Sequence, residues 1–417
     1  MVRARWGAAL AAVAALVVGL VVAAPGGPPA AEAAPTGLPA GFVVTSSPSG
    51  QAPYDLTDVA YLPDGSAITT GKGGKVAWVS PTGEVRTLAQ LPVATVQDHG
   101  LVGLAVAPDY ATSRRIWLSR ALPGSGPWPM RLSRFTVTVD GAGAPTALSG
   151  ETTLLEVPAT SDVHGLTGLE PAPDGSLWVS IGDAADFRRA DPAALRSLDV
   201  DDVRGKVLRI DGTTGRGLPG NPFWTGDGAA ARSKVWATGF RSPFRLTVDP
   251  ESGLPVLGDV GWQRFEEVDV VRPGASYGWP CYEAVATTPG YIEMPGCAGK
   301  GNTAPAHSYD RPSGNGSSVT GGTFYTGESY PEPYRGAYFF GDYTSARIWT
   351  MQFDAAGNVT RAPEAAAFGR DVGAPVSFTS GPNGDIVYAD IADGTLKRIS
   401  YSAGNRPPST ARRGAGR

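Results

Sequence analysis

The chain has 417 residues, 42% of them hydrophobic, which is ample apolar material for a large core. Its 56 glycines and 37 prolines are spread along the whole length, a load that favours many short strands and tight turns over long helices. A formal charge of −4 leaves no electrostatic footprint for a nucleic-acid partner, and none is expected.

The N-terminus reads as an address. Arg3 and Arg5 precede an apolar run from Gly7 to Ala24, and a small-residue site, Ala31-Glu32-Ala33, follows. Positive start, apolar middle and A-x-A end describe a secretory signal peptide over 1–34. An uncleaved anchor is the alternative, since the run approaches membrane-spanning length. The mature chain is expected to be secreted, with no stable membrane insertion after cleavage. Residues 35–40 read as a linker, and 403–417 as a disordered tail. In an oxidising compartment Cys281 and Cys297, the only two cysteines, are expected to form a structural disulfide within one Gly/Pro-rich loop.

From 41 to 402 one unit keeps returning: an alternating apolar strand, a Pro/Asp/Asn-Gly turn, and a second alternating strand. It appears around Pro63-Asp64-Gly65, Pro108-Asp109, Pro173-Asp174-Gly175, Asp249 to Gly253, and Pro382-Asn383-Gly384. Asp-Gly and Asn-Gly between alternating runs are strong hairpin signals. Six units in about 365 residues fit an all-β, six-bladed β-propeller with long inter-strand insertions. One segment, Pro192 to Asp199, reads helical with Asp191 as its N-cap. Tyr330 to Gly336 reads as a loop or a single turn. Trp178, Trp236, Trp262, Trp279, Tyr325 and Tyr343 read as blade cores, with Trp262 and Trp279 also able to stack on a ligand from their loops.

The stretch Val163 to Asp183 carries the first candidate chemistry. His164, one of three histidines, faces Asp183 across the Pro173–Gly175 hairpin, so an imidazole and a carboxylate are placed where a general base could be built. The plain alternative is a loop histidine bonded to backbone. Downstream, Glu266 and Glu267 follow a glycine-containing loop, with Asp269 beyond and Tyr277 in the next turn; hard oxygen donors of this kind suit Ca²⁺. No Rossmann or P-loop glycine pattern is present to hold a nucleotide.

Taken in order, Asp98 to Asp109, His164 to Asp183, Gly205 to Asp211, Thr238 to Arg245, Gly258 to Asp269, Ala275 to Pro280, Gly321 to Tyr325 and Arg370 to Val372 resemble the secreted glucose/sorbosone dehydrogenase-like propellers. These include the soluble pyrroloquinoline-quinone (PQQ) dependent sugar dehydrogenases. The resemblance implies a small sugar substrate, an external electron acceptor, and PQQ and Ca²⁺ as cofactors. It makes His164 the base, Asp183 its orienter and Arg241 the cation at the quinone oxygens. Cofactor contacts are implied for Arg241, Ser242, Arg370, Asp98 and Trp262. Calcium ligands are implied at the Gly261 and Trp262 carbonyls, a carboxylate at Glu266 or Glu267, and the Tyr277 carbonyl.

The departures point the other way. Ser242 stands where the dehydrogenases have asparagine, Thr326 where they have a lysine, and Phe368 where a second arginine should precede Arg370. Losing two cations should weaken the hold on a tricarboxylate. A calcium-containing propeller that binds a carbohydrate or a partner without the cofactor is therefore the alternative, and a calcium-dependent lactonase a third reading. His99 is read as loop packing, and His307 receives no role.

Overall fold

Six antiparallel sheets of four or five strands, arranged in chain order, make up the computed structural model, which describes residues 35–158, 160–311 and 316–405. The innermost strands are Leu56–Tyr61, Leu101–Val106, Leu166–Pro171, Pro243–Val248, Val319–Phe324 and Pro375–Ser380. Each neighbours the next, and the last neighbours the first, so they ring a central channel. This is the expected six-bladed propeller. The ring is closed by the N-terminal strand Phe42–Pro48, which pairs with Thr395–Tyr401 as the outer strand of blade six.

Six apolar clusters hold the ring, each built from two adjacent blades. Trp117 and Met130 of blade two pack against Leu177 and Val235 of blade three, for example, and Phe339 of blade five against Tyr388 of blade six. A seventh cluster surrounds Cys281 and Cys297, which form the expected disulfide across a separation of 16 residues.

Identical short devices turn the first hairpins of blades one and three. Asp64 Oδ1 accepts from Ser66 N–H at 3.0 Å and its hydroxyl at 2.6 Å, and Asp174 does the same for Ser176 at 2.9 and 2.6 Å. Gly65 and Gly175 follow with φ of 83° and 84°, a region that L-side chains rarely adopt. Pro108-Asp109 lacks the glycine, and the chain there makes a single helical turn, Tyr110–Ser113, instead of a tight hairpin. The first connection of blade five has no Asx-Gly turn; it carries the short 3₁₀ turn Glu332–Tyr334. Pro192–Leu198 is also 3₁₀, with Asp191 accepting from Ala193 N–H at 3.1 Å.

The leader lies outside the described residues, as does the tail beyond 405. Among residues read as linker, Thr36 exchanges two backbone bonds of 2.8 Å with Arg370, and among those read as tail, Ala403–Asn405 forms a 3₁₀ turn.

The channel is plugged by a single guanidinium. Arg245, on the inner strand of blade four, donates to Asp58 Oδ2 at 3.0 Å and to four backbone carbonyls: Thr57 (2.6 Å), Val102 (2.8 Å), Val376 (3.0 Å) and Thr167 (3.2 Å). Blades one, two, three and six are thereby tied to blade four. Below the plug, toward the rim where the inner strands end, a cavity of about 240 Å³ is lined by Tyr61, Glu170, Ser377 and Ser380 among others. Burial, with Asp58 adding, pushes the Glu170 carboxyl up to about 8, against a bond from Thr247.

Two outcomes follow. Arg245→Met, which strands the buried Asp58 carboxylate, should lower unfolding stability by about 3–5 kcal/mol in guanidinium melts. A folded pKa above the unfolded one means that Glu170 takes up its proton on folding, so its contribution is full below about pH 4 and lost as pH rises toward 8. Glu170→Gln should flatten that decline and be the more stable protein at pH 8, read from chemical melts across pH.

Candidate active site

At the rim where the inner strands begin, the connections between blades converge. His164 lies in the connection entering blade three, and Asp183 follows the second strand of that blade, Ser176–Ile181. Arg241 lies in the connection entering blade four. The backbone joins them first: Asp183 N–H donates to the Arg241 carbonyl at 2.8 Å. The His164 backbone is held at φ 60°, with its N–H donated to Asp98 Oδ2 at 2.7 Å. Gly182 permits this approach, since a β-carbon there would sit 2.5 Å from the His164 carbonyl oxygen.

The side chains complete the arrangement. His164 Nδ1 and Asp183 Oδ1 are 2.6 Å apart, with His164 7% exposed and Asp183 fully buried. Burial acts to raise the Asp183 pKa, but the His164 charge and hydrogen bond, then Arg241 and the Ala185 N–H, hold it below the usual carboxylate range. An ionised Asp183 at Nδ1 selects the tautomer that leaves a lone pair on Nε2. The other Asp183 oxygen accepts from Trp279 Nε1 at 2.7 Å. Trp279 is thus a buried support of the carboxylate rather than an exposed stacking surface, and Arg241 lies 5.6 Å over its ring.

Arg241 is 7% exposed and donates through Nη1 to the Val260 carbonyl at 2.8 Å; its Nε is buried without a partner. Its backbone N–H and that of Ser242 share the Asp259 carboxylate at 3.0 and 2.6 Å. Burial first of all pushes Asp259 up to about 7. Trp262 is half-buried and donates its indole N–H to the Phe187 carbonyl at 2.7 Å.

Trp279 and Trp262 meet because the insertion between the last two strands of blade four climbs back along blade three. Ser276 bridges Thr238, Tyr277 N–H donates to the Thr238 carbonyl at 2.9 Å, and Trp279 N–H donates to Gly239 at 3.0 Å. The disulfide then fixes the insertion beyond Trp279, and Ser197 of the 3₁₀ helix donates to the Trp279 carbonyl at 2.5 Å.

Several expected site residues fall elsewhere. Thr326 follows the end of an inner strand, on the rim opposite His164, with its hydroxyl 3.3 Å from that of Ser380. Phe368 is a core residue, edge-on to Phe42 at 5.0 Å and Phe339 at 5.1 Å. Neither position faces the site, so neither departure removes a cation from it. Arg370 sits on an outer strand of blade five, exposed, with its guanidinium beside Gly37. Tyr343, expected in a core, is 40% exposed on the His164 rim. His99 is buried beside Trp128 at 6.1 Å, as loop packing requires, although neither ring nitrogen finds a partner.

The acidic stretch divides in two. Glu266 pairs with Arg311 and accepts the Val319 N–H. Glu267 accepts the Ala284 N–H at 2.8 Å, and beside it both oxygens of the buried Asp269 have no partner. Burial first, with repulsion from Asp269 and Asp259 on Glu267 and from Asp259 on Asp269, pushes both of these carboxyls well up. Tyr277 is buried and stacked on Phe240 at 4.7 Å. Among the described residues no group of three or more His, Cys, Asp or Glu side chains is gathered for a metal. Glu283 was not singled out, yet its Oε1 collects the N–H groups of Trp262, Gln263, Arg264 and Phe265 at 2.8–3.1 Å. No local signal marks such a partner; it acts from eighteen or more residues away.

The family described as Glucose / Sorbosone dehydrogenase matches residues 51–398. The aldose sugar dehydrogenase YliI of Escherichia coli is 27% identical over 282 residues, 66% of this chain and 71% of that protein. Quinoprotein glucose dehydrogenase B of Acinetobacter calcoaceticus is 26% identical over 54% of this chain, which spans only 49% of it. The PQQ-bound structure of an aldose sugar dehydrogenase from Streptomyces coelicolor superposes with a TM-score of 0.67 at 20% identity, over 88% of this chain and 100% of that one.

Gly182→Ala should displace His164 and cost about 1–3 kcal/mol by overpacking. The downfield proton resonance of the His164–Asp183 bond should vanish with it, in spectra compared with wild type.

Proposed function

Since the chain belongs to the glucose/sorbosone dehydrogenase family, we propose that it is an exported, PQQ-dependent sugar dehydrogenase that oxidises the C1 hydroxyl of an aldose to a lactone. The observation that carries this reading is the 2.6 Å contact of His164 Nδ1 with the buried Asp183, which leaves Nε2 as the proton acceptor.

When bound, PQQ supplies a two-electron acceptor for the hydride that leaves the sugar carbon. His164 Nε2 takes the C1 hydroxyl proton as that hydride departs, and the Asp183 carboxylate stabilises the imidazolium that results. Arg241 would face the acceptor's oxygens. Its unpartnered, buried Nε fits an anionic group, because a desolvated N–H without an acceptor is costly. Ser242 and Trp262 flank that position, and Asp98 acts through the His164 backbone. Arg370 is left at the edge and is not assigned a contact. Glu267 and Asp269, with Tyr277 beside them, would hold a structural Ca²⁺; two desolvated carboxylates side by side fit a hard cation. The leader supports export, and among the described residues no helix is long and apolar enough to cross a membrane.

Thr326 and Phe368 lie away from the site and no longer favour the cofactor-free alternative, which keeps Ser242 and the outlying Arg370 on its side. Titrating the mature, calcium-supplemented protein with PQQ and then assaying dye reduction by a panel of aldoses tests the reading. Saturable binding and sugar-dependent reduction are expected, with His164→Ala lowering kcat by about 10²–10⁴ and Arg241→Ala weakening PQQ binding. Absence of micromolar PQQ binding to a folded protein would leave a binding propeller.

A further inference from the structure

Where a calcium ion is expected at the Gly261 carbonyl and Glu266, the chain places a cation of its own. Arg311 Nη1 donates to the Gly261 carbonyl oxygen at 2.6 Å and to Glu266 Oε1 at 2.5 Å. Glu266 is fully buried, and its second oxygen accepts the N–H groups of Val319 at 3.1 Å and Gly261 at 3.3 Å. Two of the acceptors implied for a metal, the Gly261 carbonyl and the Glu266 carboxylate, are therefore already engaged. A guanidinium nitrogen this close leaves no room for an ion that needs oxygens at about 2.3–2.6 Å, and its charge repels one. The two cations exclude each other.

The surrounding loop is built to hold this arrangement. Four successive N–H groups of residues 262–265 point at Glu283, and a β-carbon on Gly261 would lie 1.6 Å from the Phe265 carbonyl oxygen. Arg311 is pinned through its own N–H, donated to the Arg264 carbonyl at 2.8 Å. Its side chain remains 21% exposed, so the guanidinium is reachable from outside the core. Arg241 is the neighbouring cation. Burial lowers its pKa, Asp183 opposes that, and the like charge of Arg311 adds to the lowering. The two guanidiniums donate to successive carbonyls, Arg241 to Val260 at 2.8 Å and Arg311 to Gly261 at 2.6 Å, and the buried Arg241 Nε has no acceptor among the described residues, which favours an anionic ligand at this corner.

We propose that Arg311 takes the place of a divalent ion at the Gly261–Glu266 pair, so that this chain meets the anionic, carbonyl-bearing end of its ligand with two arginines and no metal there. The identity of that ligand as PQQ rests on the dehydrogenase reading; the exclusion of metal by Arg311 does not.

Calcium alone provides the first test. Equilibrium dialysis of wild type, Arg311→Ala and Arg311→Gln against Ca²⁺ should show one more ion per chain in at least one variant that keeps the wild-type circular dichroism. Adding Glu266→Gln should abolish the extra ion. In the second test, PQQ binding is followed by absorbance with and without EDTA. Wild type should bind equally well in both, whereas Arg311→Ala should lose at least about tenfold in affinity in EDTA, the worth of one charge-assisted bond, and recover it with Ca²⁺. Equal calcium counts in wild type and both folded variants would overturn the proposal. So would wild-type PQQ binding that EDTA abolishes, with the fold intact, and Ca²⁺ restores. If PQQ binds no form of the protein, the dehydrogenase reading fails while the calcium count still decides the place of Arg311.

Discussion

A propeller has a hole along its axis, and the innermost strands turn the unpaired edges of their backbones into it. Carbonyls there need donors, and water in a narrow channel satisfies them poorly. In this chain one guanidinium supplies five donor contacts at that point, to Asp58 and to carbonyls of blades one, two, three and six. Asp58 completes the knot by accepting the Leu104 N–H and the Ser377 hydroxyl, from blades two and six. Adjacent blades are otherwise joined pairwise, by apolar packing and by hydrogen bonds such as those from the Ser119 hydroxyl to the Leu166 carbonyl and from the Thr320 hydroxyl to the Pro375 carbonyl. Arg245 gives five of the six sheets one shared anchor, and the connections that build the candidate site inherit their positions from it.

The candidate base depends on that shared origin more than a local motif would. His164 enters from the connection between blades two and three, Asp183 from within blade three, and Trp279 from an insertion of blade four that is anchored by the disulfide and by Ser197. Asp183 is the meeting point. A buried carboxylate with donors from several elements stays ionised only if each remains in place, so relative movement of blades three and four would release the imidazole orientation. The insertions decorating the propeller are thus part of the candidate site's geometry.

Much of the fold is legible in the chain because its signals are local. Asp64 and Asp174 bond to a serine two residues on, which a reader of the sequence can see, and the following glycine supplies the positive φ. Blade five evades that reading because its first connection has no such turn. The His164–Asp183 pair is legible too, since a single hairpin separates the two residues. Residues whose partners are remote are not. Trp279 looks like any core tryptophan until the insertion brings it 96 residues back to Asp183. Thr326 and Phe368 enter through the family resemblance, by motif order, and motif order does not distinguish one rim of a strand from the other, or inside from outside. Once the strand directions are known, both leave the site.

The charges around the site follow from the same folding. Asp259, Glu267, Asp269 and Glu283 converge from a single blade and its insertion; burial above all raises the first three, with repulsion from neighbouring carboxylates adding to it. Arg241 and Arg311 answer them from the two flanks of that blade. Glu283 is neutralised by four backbone N–H groups instead, in a loop that needs glycine at 261 to close. Glu266 has a guanidinium, but the Asp269 oxygens have no hydrogen-bond partner among the described residues. Two acids of one strand, three residues apart, are therefore accommodated in opposite ways: Glu266 meets a cation that the chain itself supplies, while burial raises the pKa of Asp269 and so favours its neutral form. A cation that is part of the chain holds its corner of the candidate site without depending on metal supply there.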